Sequence, residues 1–160
     1  MLPALSVACI FVTCLTVLRS IGERREHAIE RLRELGASIS FDQKWTKDGR
    51  WIQDSKPPGN WFLMQIRGKH YAVEPVEIQL FDGLPTMRPK EFADDDAALL
   101  TFFPKLKWIV LINTSLTDDG LQLLQEIPAL ERVDAEGTFV TEHGARTFRL
   151  SRPDVAIFVD

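Results

Sequence analysis

Residues able to do chemistry are few in this 160-residue chain, and they lie far apart. The histidines His27, His70 and His143 are scattered, and none has a second metal ligand or a general base at a motif spacing. Asp94–Asp95–Asp96 has the charge for a cation site. It also sits where a helix should begin, and there the backbone donors and the helix dipole favour carboxylates without any metal. Thr117 and Thr141 could act as nucleophiles only beside an activating base, and none is near, so both read as helix caps. No phosphate-binding glycine loop, G-x-S-x-G or H-E-x-x-H occurs. Cys9 and Cys14 both lie in the first apolar stretch, leaving the remainder without a thiolate ligand or a disulfide. No catalytic residue, metal ligand or cofactor is therefore assigned. The chemistry left to the chain is recognition.

Composition agrees with an ordinary globular domain plus an appendage, with 45% apolar and 26% charged residues. A net charge of −4 and the lack of a basic face argue against nucleic-acid binding.

The elements that would position recognition residues repeat. LKWIVLINTSLTDDG, from Leu106, and LERVDAEGTFVTEHG, from Leu130, share a skeleton. Pro104 aligns with Pro128, Leu106 with Leu130, Thr114 with Thr138, Thr117 with Thr141 and Gly120 with Gly144. Ile109 and Leu111 alternate as a strand would, as do Val133 and Ala135, and before them Val76, Ile78 and Leu80. Each strand leads to a helix start, with Thr117 followed by Asp118 and Asp119, and Thr141 by Glu142. A degenerate earlier copy runs through FADDDAALLTFFP, where Phe92, Leu99 and Leu100 match Leu116, Leu123 and Leu124. Its strand is displaced by an insertion around DGLPTMRPK. DVAIFV, after Pro153, reads as a last strand.

Upstream, Leu2 to Leu18 carries no charge. As a helix this run reaches about 26 Å at about 1.5 Å per residue, short but feasible against a hydrocarbon core of about 30 Å. A cleaved signal would begin with a basic region, and only Met1 precedes the run. Residues 2–18 are expected to be an uncleaved transmembrane anchor in the bilayer, followed by a juxtamembrane helix over 19–36. In that helix Ile21, Ala28, Ile29, Leu32 and Leu35 recur at helical spacing, and Gly36 stops it. Arg19, Arg24, Arg25, Arg31 and Arg33 all follow the run, which by the positive-inside rule places the soluble part in the cytoplasm. Residues 37–75 are expected to form a small αβ subdomain, with Asp48–Gly49 turning a hairpin between Trp45 and Trp51. Those tryptophans, with Trp61, read as core.

L-x-x-I-x-L-x-x-T-x-L, residues 106–116, resembles the leucine-rich repeat, and TDDGL and TEHGA resemble the helix start of its cysteine-containing-like subclass. ERREHAIERLRELGASISFD, with the apolar segment before it, looks like the N-terminal region of short membrane-anchored leucine-rich repeat proteins of the planctomycete type. The resemblance implies an α/β fold: a leucine-rich repeat solenoid fragment over 76–160, a transmembrane helix and the small αβ subdomain. It also implies a non-catalytic, single-pass membrane protein that mediates protein–protein interaction through an unidentified protein partner. The alternative is a structural or self-associating component of the cell envelope.

The strand register then names a candidate face. If Ile109, Leu111 and Val133 point inward, the residues between them point out: Glu77, Gln79 and Phe81, then Trp108, Val110 and Ile112, then Arg132, Asp134 and Glu136. The middle row is apolar although it faces outward. Either Phe81, Trp108, Val110, Ile112, Arg132, Asp134 and Glu136 form a partner-binding surface, or residues 37–62 or 82–91 fold over the row and bury it.

Overall fold

The computed structural model describes residues 4–41, 74–81 and 92–160, with side chains in the first helix described at Thr13 and from Thr16 onward. The chain opens with helix α1 (Ala4–Glu34), followed by strand β1 (Ser38–Phe41) and strand β2 (Pro75–Phe81). Helix α2 (Asp94–Leu100) leads to β3 (Trp108–Ile112), and α3 (Asp118–Leu123), with a 3₁₀ turn at Leu124–Glu126, leads to β4 (Arg132–Asp134). Helix α4 (Glu142–Ser151) and β5 (Ala156–Phe158) complete the order.

The strands make one five-stranded sheet in the order β1-β2-β3-β4-β5. β1 runs antiparallel to β2, and the other neighbours are parallel. Ile78 stands opposite Ile109, Ile109 opposite Val133, and Val133 opposite Ile157. All four are buried, as are Leu80, Leu111 and Ala135 on the same face. Against that face pack Phe92, Ala97, Leu100, Phe103, Leu121, Leu124, Ala145 and Phe148 from the helices and their connections, in one core. Each Leu, Ile or Phe fully buried here contributes about 1.5–3 kcal/mol over its exposed state. The expected inward set, Leu106, Ile109, Leu111, Leu130 and Val133, is buried throughout.

Helix α1 joins this core by its C-terminal half. Ala28, Ile29, Leu32 and Leu35 are buried, and Arg25 pairs with Glu74 while lying over the Phe103 ring, 5.8 Å from its centroid. Arg31 Nε donates to Asp96 Oδ1 at 2.9 Å. Gly36, at φ 87°, ends the helix in the left-handed conformation that glycine takes most readily. There Gly36 N–H donates to Arg33 O and Ala37 N–H to Leu32 O, the paired bonds of a Schellman stop.

Two expectations are corrected. The anchor over residues 2–18, with the bilayer contact, single-pass membrane placement and orientation drawn from it, is not supported: among the described residues no helix is long and apolar enough to cross a membrane. The run instead opens a continuous 31-residue helix that carries Arg19, Glu23, Arg24 and Arg25 and docks on the domain by one face. The leucine-rich repeat solenoid is likewise overturned. The described chain is a small mixed α/β domain, in which antiparallel β1 and α1 close the β2 side and all elements share one core. In a solenoid each unit would contact only its neighbours. β1 belongs to the same sheet as the rest, while the remainder of the expected subdomain, with Trp45, Trp51, Trp61 and the Asp48–Gly49 turn, lies outside the described residues, as does the insertion at 82–91.

The internal correspondence in the sequence has a physical basis within this domain. Asp94 Oδ1 accepts from Thr117 N–H at 2.9 Å and Oδ2 from Thr117 Oγ1 at 2.6 Å. Asp118 repeats this with Thr141, both bonds at 2.7 Å. Each threonine hydroxyl also accepts from its own helix, from Asp119 N–H in α3 and from Gly144 N–H in α4. One carboxylate thus fixes the start of the next helix. Glycine is required beside it: a Cβ at Gly120 would lie 2.2 Å from Asp94 Oδ1, and one at Gly144 2.0 Å from Asp118 Oδ1. At the far end Arg152 donates to the carbonyls of Gln125, Ile127 and Leu130 and to Asp154, satisfying the end of the preceding helical segment.

Alanine in place of Gly144 should therefore destabilise the domain by about 1–3 kcal/mol, the usual range for an overpacked site, although alanine is the better helix former. In an Asp118→Ala background most of that cost should vanish, because the three atoms nearest the added methyl all belong to the Asp118 carboxyl group. Denaturant unfolding of the double-mutant cycle checks this; additive effects would show that the carboxylate is not what the glycine accommodates.

Candidate interaction face

With one face of the sheet committed to the core, the other presents two ladders of side chains. Glu77 stands beside Trp108, Trp108 beside Arg132, and Arg132 beside Ala156. In the next ladder Gln79, Val110, Asp134 and Phe158 follow one another, and Phe81 stands beside Ile112. These are the outward positions that the strand alternation predicts. Phe81 is 59% exposed, Trp108 46% and Phe158 43%; Val110 and Ile112 are half-buried. Trp108 is therefore outside the core of the described elements, while residues 42–73 and 82–91, most of the segments that the alternative would fold over the row, lie outside the described residues.

The apolar row along β3 is bordered by polar pairs. On β2, Gln79 Nε2 donates to Glu77 Oε1. On β4, Arg132 Nε donates to Asp134 Oδ1 at 2.9 Å, and its guanidinium lies 4.5 Å from the centre of the Phe158 ring. Held by hydrogen bonding and by the charge of Asp134, the Arg132 guanidinium has its pKa raised further. Below the row Lys107 Nζ pairs with Glu131 at 2.7 Å. That hydrogen bond, helped by the Lys107 charge and the Trp108 indole, holds the Glu131 carboxyl below its usual range. Glu136 is exposed past the end of β4.

All seven expected face residues are thus on one side of the sheet or at its border. The sequence reading missed Phe158, although DVAIFV alternates as its neighbours do and buries Val155 and Ile157. That alternation was the available signal. The candidates for chemistry are used otherwise. Asp94 and Asp96 are acceptors in the helix starts, Asp96 accepting from Ala93 N–H and from Arg31. Thr117 and Thr141 are caps. His27 and His143 are exposed on α1 and α4, and His70 lies outside the described residues. No protein-family model matches the chain, and no curated protein matches it. The resemblance to leucine-rich repeats accordingly rests on its residues alone.

An electrostatic consequence follows at the lower border. Since the folded pKa of Glu131 is depressed, its stabilising effect is present above the ordinary carboxyl range and fades as pH falls through the lowered value. An NMR titration of the Glu131 carboxyl should give a midpoint below that of an unperturbed glutamate, returning upward in Lys107→Gln. A midpoint unmoved by that substitution would mean that Lys107 is not the cause.

Proposed function

We propose that this protein has a non-catalytic binding role and that it captures another protein on the outward face of its sheet, centred on Trp108. The observation that carries the reading is an apolar row, Trp108, Val110 and Ile112, left facing outward on a central strand. Parallel strands ordinarily have both faces covered, so an outward apolar row on one of them calls for a partner. The row has the make-up of a binding centre, with a tryptophan anchor, further aromatic area in Phe81 and Phe158, and a polar border of Glu77, Arg132, Asp134 and Glu136. Arg132, stacked on Phe158 and tied to Asp134, is pre-organised and loses little freedom on contact. The charged border makes the apolar centre specific, because a wrong partner would leave a carboxylate or guanidinium desolvated without a counterpart.

Replacing Trp108 by Ala separates binding from folding. Its melting temperature should stay close to that of the wild type, since the side chain is 46% exposed, and a protein retained by the immobilised wild-type chain should be lost with a weakening of about 2 kcal/mol or more. Arg33→Ala, an exposed change on α1, should retain it. A large fall in melting temperature, or an unchanged set of retained proteins, would overturn the proposal.

A further inference from the structure

The outward row on β3 is an apolar surface that no described element covers. Another lies on α1 at Val17 and Ile21. Thr13, Thr16, Arg19 and Ser20 are exposed, Leu18 is half-buried, and Val17 and Ile21 are 51% and 47% exposed. At about 100° per residue the exposed positions cover one side of the helix, while half-buried Leu18 and buried Gly22 lie on the other. Val17, Ile21, Arg24 and Ala28 fall along one line of the helix. At its C-terminal end the line is satisfied, with Ala28 fully buried; at its N-terminal end it is bare.

The two surfaces complement each other, but not within one molecule. Helix α1 is continuous from Ala4 to Glu34, and its C-terminal half is fixed to the core side of the sheet by Ile29, Leu32 and the Arg31–Asp96 pair. The row lies on the opposite face. A second copy has no such constraint. Val17 to Arg24 spans about 10 Å along a helix, and Trp108 to Ile112 about 13 Å along a strand. The charges also match: Arg132 is tied to Asp134 and Lys107 to Glu131, which leaves the charges of Glu77 and Glu136 at the border of the row, whereas on the helix Arg19 pairs with Glu23 and leaves the exposed Arg24.

We propose that α1 of one copy lies along the β3 row of a second copy, with Val17 and Ile21 over Ile112 and Val110 and with Arg24 at the Trp108 end beside Glu77. The contact joins two different surfaces, so it is heterologous, and it can be completed reciprocally in a dimer or continued from copy to copy. It rests on the reading of the sheet face as a binding surface and names the occupant of that face.

Sedimentation of the full chain tests it with two variants, Trp108→Asp and the double change Val17→Asp/Ile21→Asp. The wild type should self-associate. Each variant alone should associate about 30-fold more weakly or worse, as expected for loss of a central contact. An equimolar mixture should form a 1:1 complex, because each variant keeps the surface that the other lacks. Phe81→Asp replaces Trp108→Asp if the latter lowers the melting temperature. A wild type that stays monomeric overturns the inference while leaving capture of a different protein through Trp108 intact. A mixture that stays monomeric overturns it too. So does sensitivity to the helix variant alone, which would mean helix-to-helix pairing, or to the sheet variant alone, which would mean face-to-face pairing.

Discussion

Everything in the domain depends on the parallel register that sets Ile78, Ile109, Val133 and Ile157 side by side. Side chains alternate strictly along a strand, so this single alignment sends one set to the core and the other outward on all four strands at once. A slip of one residue in β3 would place Trp108 and Val110 under the helices and Ile109 and Leu111 outside. The helices supply the other half of the decision: Phe92, Phe103 and Phe148 are fully buried, and their bulk closes the core on one side only. The opposite row takes no part in that core, and among the described residues no element packs over it.

The spacing of the helices over that sheet comes from a polar device. Asp94 and Asp118 each bind both the amide and the hydroxyl of the threonine that starts the next helix. A carboxylate accepting two such bonds is satisfied at a helix start where the dipole already favours it. The next position in the series is Glu142, which pairs instead with Arg149 on its own helix. The bridge is made twice and stops there. On the opposite side antiparallel β1 and the docked half of α1 cover β2. Repetition in the middle and closure at the β2 side make a domain rather than an open-ended stack.

Much of this was legible in the chain because it is local. Alternation over Ile109–Leu111 and Val133–Ala135 gave the buried face, the aligned threonines gave the helix caps, and Gly36 gave the stop of α1. The seven face residues followed from parity alone. What was not legible depends on partners distant in sequence or on context. Arg31 meets Asp96 and Arg152 meets three carbonyls of an earlier segment, and no spacing rule announces either. The uncharged run before Arg19 suggested a bilayer because hydropathy counts only apolar length; the continuous helix joins that run to a charged, amphipathic stretch that packs on the domain. The fixed offset between the two halves suggested a solenoid because alignment reports the repeated bridge without reporting what closes the sheet. Phe158 escaped notice because its strand is short and comes after the aligned units.

The central claim is that the outward face around Trp108 is open in the isolated chain and covered when the chain meets its partner. Hydroxyl-radical footprinting read by mass spectrometry measures both states at single residues. In the isolated, dilute chain Phe81, Trp108 and Phe158 should oxidise readily while Phe92, Phe103 and Phe148 stay protected, and in the associated state the first three should lose most of their reactivity. Reactivity at Trp108 as low as at Phe148 in the isolated chain, or equal reactivity in both states, would contradict the account.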